Sequence, residues 1–93
     1  MSLFRADFGK ARNITTATTT VVKGGRGVLV SIILNETNAG AITVYDNTAA
    51  SGTIIGTIAI GAAAGSVFPY LCQFSTGLTV VTAGADDITV VYD

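Results

Sequence analysis

Strand-length runs of β-branched and aromatic residues follow one another along this chain, each closed by a glycine or asparagine turn, and no window between them carries a helical period. The runs cover residues 14–22, 28–35, 41–46, 53–60, 66–74, 78–82 and 87–92. Gly, Asn and Ser cluster in the gaps, where positive φ and side-chain-to-backbone hydrogen bonds are useful. Short strands at roughly 8–12-residue spacing predict a sandwich or barrel. The expected fold is therefore all-β, a small antiparallel β-sandwich of about seven short strands with an extended N-terminal arm. The expected division is a basic arm over residues 1–26, ending in a Thr-rich first strand, and a body over residues 27–93.

Alternation assigns faces. Ile42 and Val44 oppose Thr43 and Tyr45, and Ile88, Val90 and Tyr92 oppose Thr89 and Val91. In residues 28–35, Val28, Val30, Ile32 and Leu34 are expected on one face, with Leu29, Ser31 and Ile33 on the other. A strand apolar on both faces belongs inside a sheet. Edge strands are commonly blunted with Lys or Pro. No Lys follows Lys23, and Pro69 is the single proline. The body thus has few devices against pairing with another chain, and the Thr-rich arm is a candidate strand donor.

Charge is divided unevenly. All five basic residues, Arg5, Lys10, Arg12, Lys23 and Arg26, lie in the first 26 positions with a single acid, Asp7. Glu36, Asp46, Asp86, Asp87 and Asp93 are the charges of the rest, and residues 47–85 carry none. Such a split suggests a positive arm and a negative body meeting across a subunit boundary. An uncharged surface of this extent suggests contact with protein, and oligomerisation is a common way to stabilise a 93-residue domain that has one cysteine. The net charge of −1 argues against nucleic-acid binding by the body. No apolar run reaches the roughly 18 residues of a membrane span, and the first residues lack the apolar core of an export signal.

Little catalytic chemistry is on offer. There is no histidine, so no Ser–His or Cys–His pair can form. Cys72 shares a strand face with Phe68, Tyr70 and Phe74 and reads as a small buried hydrophobe; a reactive thiol would need a neighbouring cation. Asp46 and the Asp86–Asp87 pair could share a calcium ion only from turns at one end of the sandwich. Without EF-hand spacing they read as turn caps. The Gly24-Gly25-Arg26-Gly27 segment lacks the GxxxxGK[ST] pattern of a phosphate loop and reads as a hairpin turn, with Lys23 and Arg26 as contact charges. No catalytic residue, metal or cofactor is expected, and the chain is expected not to be an enzyme.

The run GRGVLVSIILNETNAGAITVYDNTAASGTIIGTI, followed by VFPYLCQFSTGLTVVTAGADDITVVYD, resembles small virion proteins of tailed bacteriophages over about residues 25 to 93. The shared features are a Gly-led apolar strand, an AGxITVYD turn and strand, a Phe-Pro pair, GLTVVTxG and a final ITVxY strand. The resemblance implies a β-sandwich capsid decoration (cement) protein that binds the major capsid protein and stabilises the assembled lattice, often as a homotrimer. It implies a place on the virion surface after synthesis in the host cytoplasm. A tail, fibre or head–tail connector module, binding a glycan or receptor through Tyr45, Tyr70 and Tyr92, is the alternative. The residues expected to dock are Leu3, Phe4, Arg5, Phe8, Lys10 and Arg12 in the arm, with a further contact turn at Lys23 and Arg26. Neither a nucleic acid nor a membrane is an expected partner.

Overall fold

The structure is a computed structural model, and it describes residues 9–93. Eight strands form: β1 (Lys10–Ile14), β2 (Thr18–Gly24), β3 (Gly27–Leu34), β4 (Ile42–Asp46), β5 (Thr53–Ile58), β6 (Val67–Phe74), β7 (Gly77–Thr82) and β8 (Ile88–Tyr92). They make two four-stranded antiparallel sheets, ordered β1-β8-β3-β6 and β2-β7-β4-β5. This strand order is that of a jelly roll, a double Greek key in two packed sheets. The all-β sandwich expected from the alternation is what the chain forms. None of the described residues lies in a helix long and apolar enough to cross a membrane.

The core lies between the sheets. One sheet contributes Ile14, Leu29, Ile32, Leu34, Phe74, Ile88 and Val90, and the other Val22, Ile42, Val44, Ile58, Leu78 and Val80. Each side chain of this kind, fully buried, is worth about 1.5–3 kcal/mol. The faces expected for β4 and β8 hold: Ile42, Val44, Ile88 and Val90 are wholly buried.

β3 is an interior strand, as its two apolar faces suggest, but its parity differs from simple alternation. Leu29, Ile32 and Leu34 point inward, while Val28 and Val30 are only half-buried. The cause is a bulge between Leu29 and Ser31, where Val30 is an extra residue against β8. One inserted residue moves all that precede it to the other face.

Two boundaries differ from expectation. Residues 14–22 are not one strand: Ile14 ends β1, and Thr18 starts β2 in the other sheet. β1 carries no alternation to betray it, being exposed at every position but Ile14. It is held by its ladder to β8, from Lys10 opposite Tyr92 to Ile14 opposite Ile88. Within the described residues, then, positions 10–24 are edge strands of the body, not an arm outside it. The turn at Gly24–Gly27 is likewise not a hairpin. β2 and β3 belong to different sheets, so the turn crosses the end of the sandwich, with Gly25 at φ 83° and its amide donating to the Thr76 carbonyl at 3.0 Å.

Candidate functional site

The acids of the body are occupied with holding loops. Asp46, at the end of β4, accepts from the Ser75 amide at 3.0 Å and the Thr76 amide at 2.9 Å. Those two donors, Thr76 foremost, hold its carboxyl below the ordinary 3.8. Asp86 is buried and accepts from the amides of Ala39 and Gly40 at 2.7 and 3.0 Å, pinning the β3–β4 loop to the β7–β8 turn. Asp87 accepts from the carboxamides of Asn13 and Asn35 at 2.9 and 3.1 Å, which lower its pKa in that order. Asp93 pairs with Lys10 at 3.5 Å.

One cation of the leader, Lys10, stands beside Asp93 of its own chain, because β1 pairs with the last strand. Asp46 and the Asp86–Asp87 pair sit at opposite ends of the sandwich: β4 runs from the loop gripped by Asp86 to the turn gripped by Asp46, about 13 Å of strand. They share no calcium ion, and no group of three or more metal-ligating side chains occurs among the described residues.

Of the expected docking residues, Leu3, Phe4, Arg5 and Phe8 lie outside the described residues. Lys10 and Arg12 are exposed on β1, Arg26 is exposed on the crossing turn, and Lys23 is half-buried at the end of β2. Arg26 also lines an open groove of about 660 Å³ with Gly27, Val28, Asp46, Gln73, Phe74 and Ser75. The one carboxylate in that groove, Asp46, is engaged by the turn amides. Cys72 lines the half-buried face of β6 with Phe68 and Tyr70, as its strand position suggests. Burial, and then the charge of Asp46, push its thiol above 9.0, away from reactivity. Tyr70 and Tyr92 pack against the core, and burial raises the Tyr70 phenol above 10.0. These rings serve packing before any stacking on a sugar.

The feature that sequence reasoning missed is the flank where β5 and β6 lie over each other. Both are edge strands, one from each sheet. They meet where the Tyr70 ring covers Gly56; a Cβ there would come within 2.6 Å of the phenol oxygen. Four of the five large hydrophobic side chains exposed in the described residues belong to β5, β6 or the loop between them: Ile54, Ile60, Val67 and Leu71. Leu71 is the most exposed of them, at 73%. It is also the one non-glycine residue of the described chain with positive φ, at 50°. Between Leu29 and Ser31 the ladder takes two residues of β6, Tyr70 and Leu71, against one of β3. A left-handed leucine costs roughly 1–2 kcal/mol, and water gives back nothing for it. Bulges of this kind re-aim a side chain, and strain that is retained tends to mark a functional position. The uncharged run over residues 47–85 was the available signal for the flank; the backbone turn at Leu71 left none in the sequence.

No protein-family model matches the chain, and no curated protein matches it. Among solved structures, a chain from the Bacillus endospore appendages, described as a novel family of disulfide-linked pili, is similar over 99% of this chain and 95% of that one. The TM-score is 0.49 and the identity 16%. A likeness so distant carries nothing about what this chain binds.

Proposed function

We propose that this protein is a structural component of an assembled particle, a decoration protein that binds a capsid lattice and stabilises it. The observation that carries the reading is Leu71: an apolar side chain held in strained backbone and aimed outward from an uncharged edge. A monomer gains nothing from that arrangement, whereas burying the side chain in a protein contact would return the strain. The resemblance of residues 25–93 to small phage virion proteins supplies the lattice, with the major capsid protein as partner. On this reading Leu71 makes the shell contact, and Lys10 and Arg12, exposed on β1, give a further cationic contact. Binding only to the assembled lattice stabilises that lattice by mass action.

The experiment is co-sedimentation of the labelled protein with mature heads of the phage that carries it. Saturable pelleting, with the heads surviving a higher temperature, supports the reading. A folded protein that remains wholly in the supernatant sinks it.

A further inference from the structure

We propose that the open seam between β1 and β2 takes an extended peptide segment bearing one acidic side chain, with Arg12 as the residue that holds its carboxylate. That the segment belongs to the shell protein rests on the decoration reading; the chemistry of the seam does not.

β1 and β2 are edge strands, one from each sheet, on the side of the sandwich away from β5 and β6. The ladders fix which way their side chains point. Arg12 stands opposite Val90 of β8, and Thr20 stands opposite Val80 of β7. Directly opposed residues share a sheet face, and Val80 and Val90 belong to the core between the sheets. Arg12 and Thr20 therefore point into that space, as does Thr18, two residues before Thr20. Elsewhere the inward positions carry Leu, Ile, Val or Phe. Here they carry a guanidinium and two hydroxyls, with Arg12 and Thr18 exposed and Thr20 half-buried. Together with Asn13 and Thr16 they line one groove of about 390 Å³. The opposite flank is closed by Tyr70 over Gly56; this one is left open and polar.

Charge and hydrogen-bonding capacity select the occupant. Arg12 is the one charged residue lining the groove. Lys10 is engaged by Asp93 at 3.5 Å, and the nearby acid Asp87 accepts from the carboxamides of Asn13 and Asn35. A single guanidinium takes one carboxylate through two parallel N–H donors. It is too little for a polyanion, which is held by several cations at once, and the chain as a whole carries −1. An apolar segment would leave the guanidinium and the hydroxyls without partners. A peptide supplies N–H and C=O groups to hydroxyls that both accept and donate. The same groups can pair with the outer edge of β1 or β2, neither of which contains Pro. A second copy is the wrong occupant, because none of the four edge strands, β1, β2, β5 and β6, carries an acid.

The test is two-dimensional NMR of the 15N-labelled full chain, titrated with acetyl-Val-Glu-Val-amide to about 10 mM, which reaches millimolar affinities. Saturable shifts across residues 12–21 are expected. Acetyl-Val-Gln-Val-amide should bind at least about tenfold more weakly. Arg12→Gln should lose at least about tenfold, and Arg12→Lys less, since it keeps the charge but not the fork. Thr20→Val separates binding from folding: an apolar side chain at an inward position should keep or raise the thermal midpoint while weakening the peptide. No shifts at the highest concentration, equal binding of the two peptides, or full binding by Arg12→Gln overturns the proposal and leaves Arg12 as a guard of the β1 edge. Heparin that shifts the same resonances at lower concentration than the glutamyl peptide also overturns it, by giving the seam to a polyanion. Pelleting with heads tells the two readings apart. If Arg12→Gln pellets as well as wild type, the decoration role stands and the seam has no part in it. If the peptide binds at the seam of a protein that never pellets, the seam stands and the decoration role falls.

Discussion

The phenol of Tyr70 lies over the bare Cα of Gly56, and through this contact the edge strand of one sheet closes against the edge strand of the other. The ring needs the room that a missing side chain leaves. Replacing Gly56 with Ala normally gains a little stability in an extended segment by limiting the unfolded chain. Here the added methyl meets the ring and overpacking decides the sign. Gly56→Ala is expected to cost about 1–3 kcal/mol, a fall of several degrees in Tm for a domain of this size. Gly56→Ala with Tyr70→Phe should recover part of the loss, since the phenol oxygen is the nearest obstacle. A thermal melt of both variants checks this.

Acid should weaken the fold through Asp46 and Asp87. Both have folded-state pKa values below the ordinary 3.8. A carboxyl of this kind contributes fully above its unfolded value, and the contribution is lost as pH falls through the lower folded value. Stability should thus hold from pH 7 to about 4 and decline below that. Asp46→Asn and Asp87→Asn should each flatten the decline, read as Tm against pH between 7 and 2. An unchanged slope in both variants would exclude these two groups as its source.

Asp86 should matter more than its exposed neighbours. Its carboxylate accepts from the part-buried amide of Ala39 and the buried amide of Gly40, where Gly40 and Gly84 touch backbone to backbone. Asp86→Ala strands the buried Gly40 amide and is expected to cost about 1–3 kcal/mol. Glu36→Ala, at an exposed position of the same loop, should stay within about 0.5 kcal/mol of wild type. Urea unfolding of the two variants makes the comparison.

The Lys10–Asp93 pair should contribute little. Its side chains are 59% and 50% exposed. Lys10→Ala is expected to change stability by less than about 1 kcal/mol, and 0.5 M salt should remove most of even that difference.

Removing residues 1–13 should damage the body. The cut takes four of the five residues of β1 and with them the Asn13 bond to Asp87, leaving β8 as a bare edge. A lower urea midpoint is expected, together with a smaller m-value from reduced burial. A truncated chain with wild-type unfolding would mean that β1 adds nothing to the fold.

Much of the fold was legible because strand faces repeat every two residues. Ile42, Val44, Ile88 and Val90 could be assigned to the core on that ground. The same rule misplaced Val28, Val30 and Leu29, since a bulge shifts parity without altering composition. β1 escaped notice for a different reason: KARNI is an edge strand fixed by backbone pairing with β8, and only Ile14 is buried. The arm was legible as a cluster of cations, yet Lys10 and Arg12 turned out to sit on that edge strand. The flank was legible only as a lack of charge.

The sequence alone determined that this chain must be β, where most of its turns fall and that a long portion bears no charge, because these follow from local sterics and composition. Tertiary structure alone decided which strands became edges, that Lys10 meets Asp93 in its own chain and that Leu71 turns outward at φ 50°. Those outcomes depend on pairing between residues up to 83 positions apart, and no local property of the chain encodes which distant strand lies alongside.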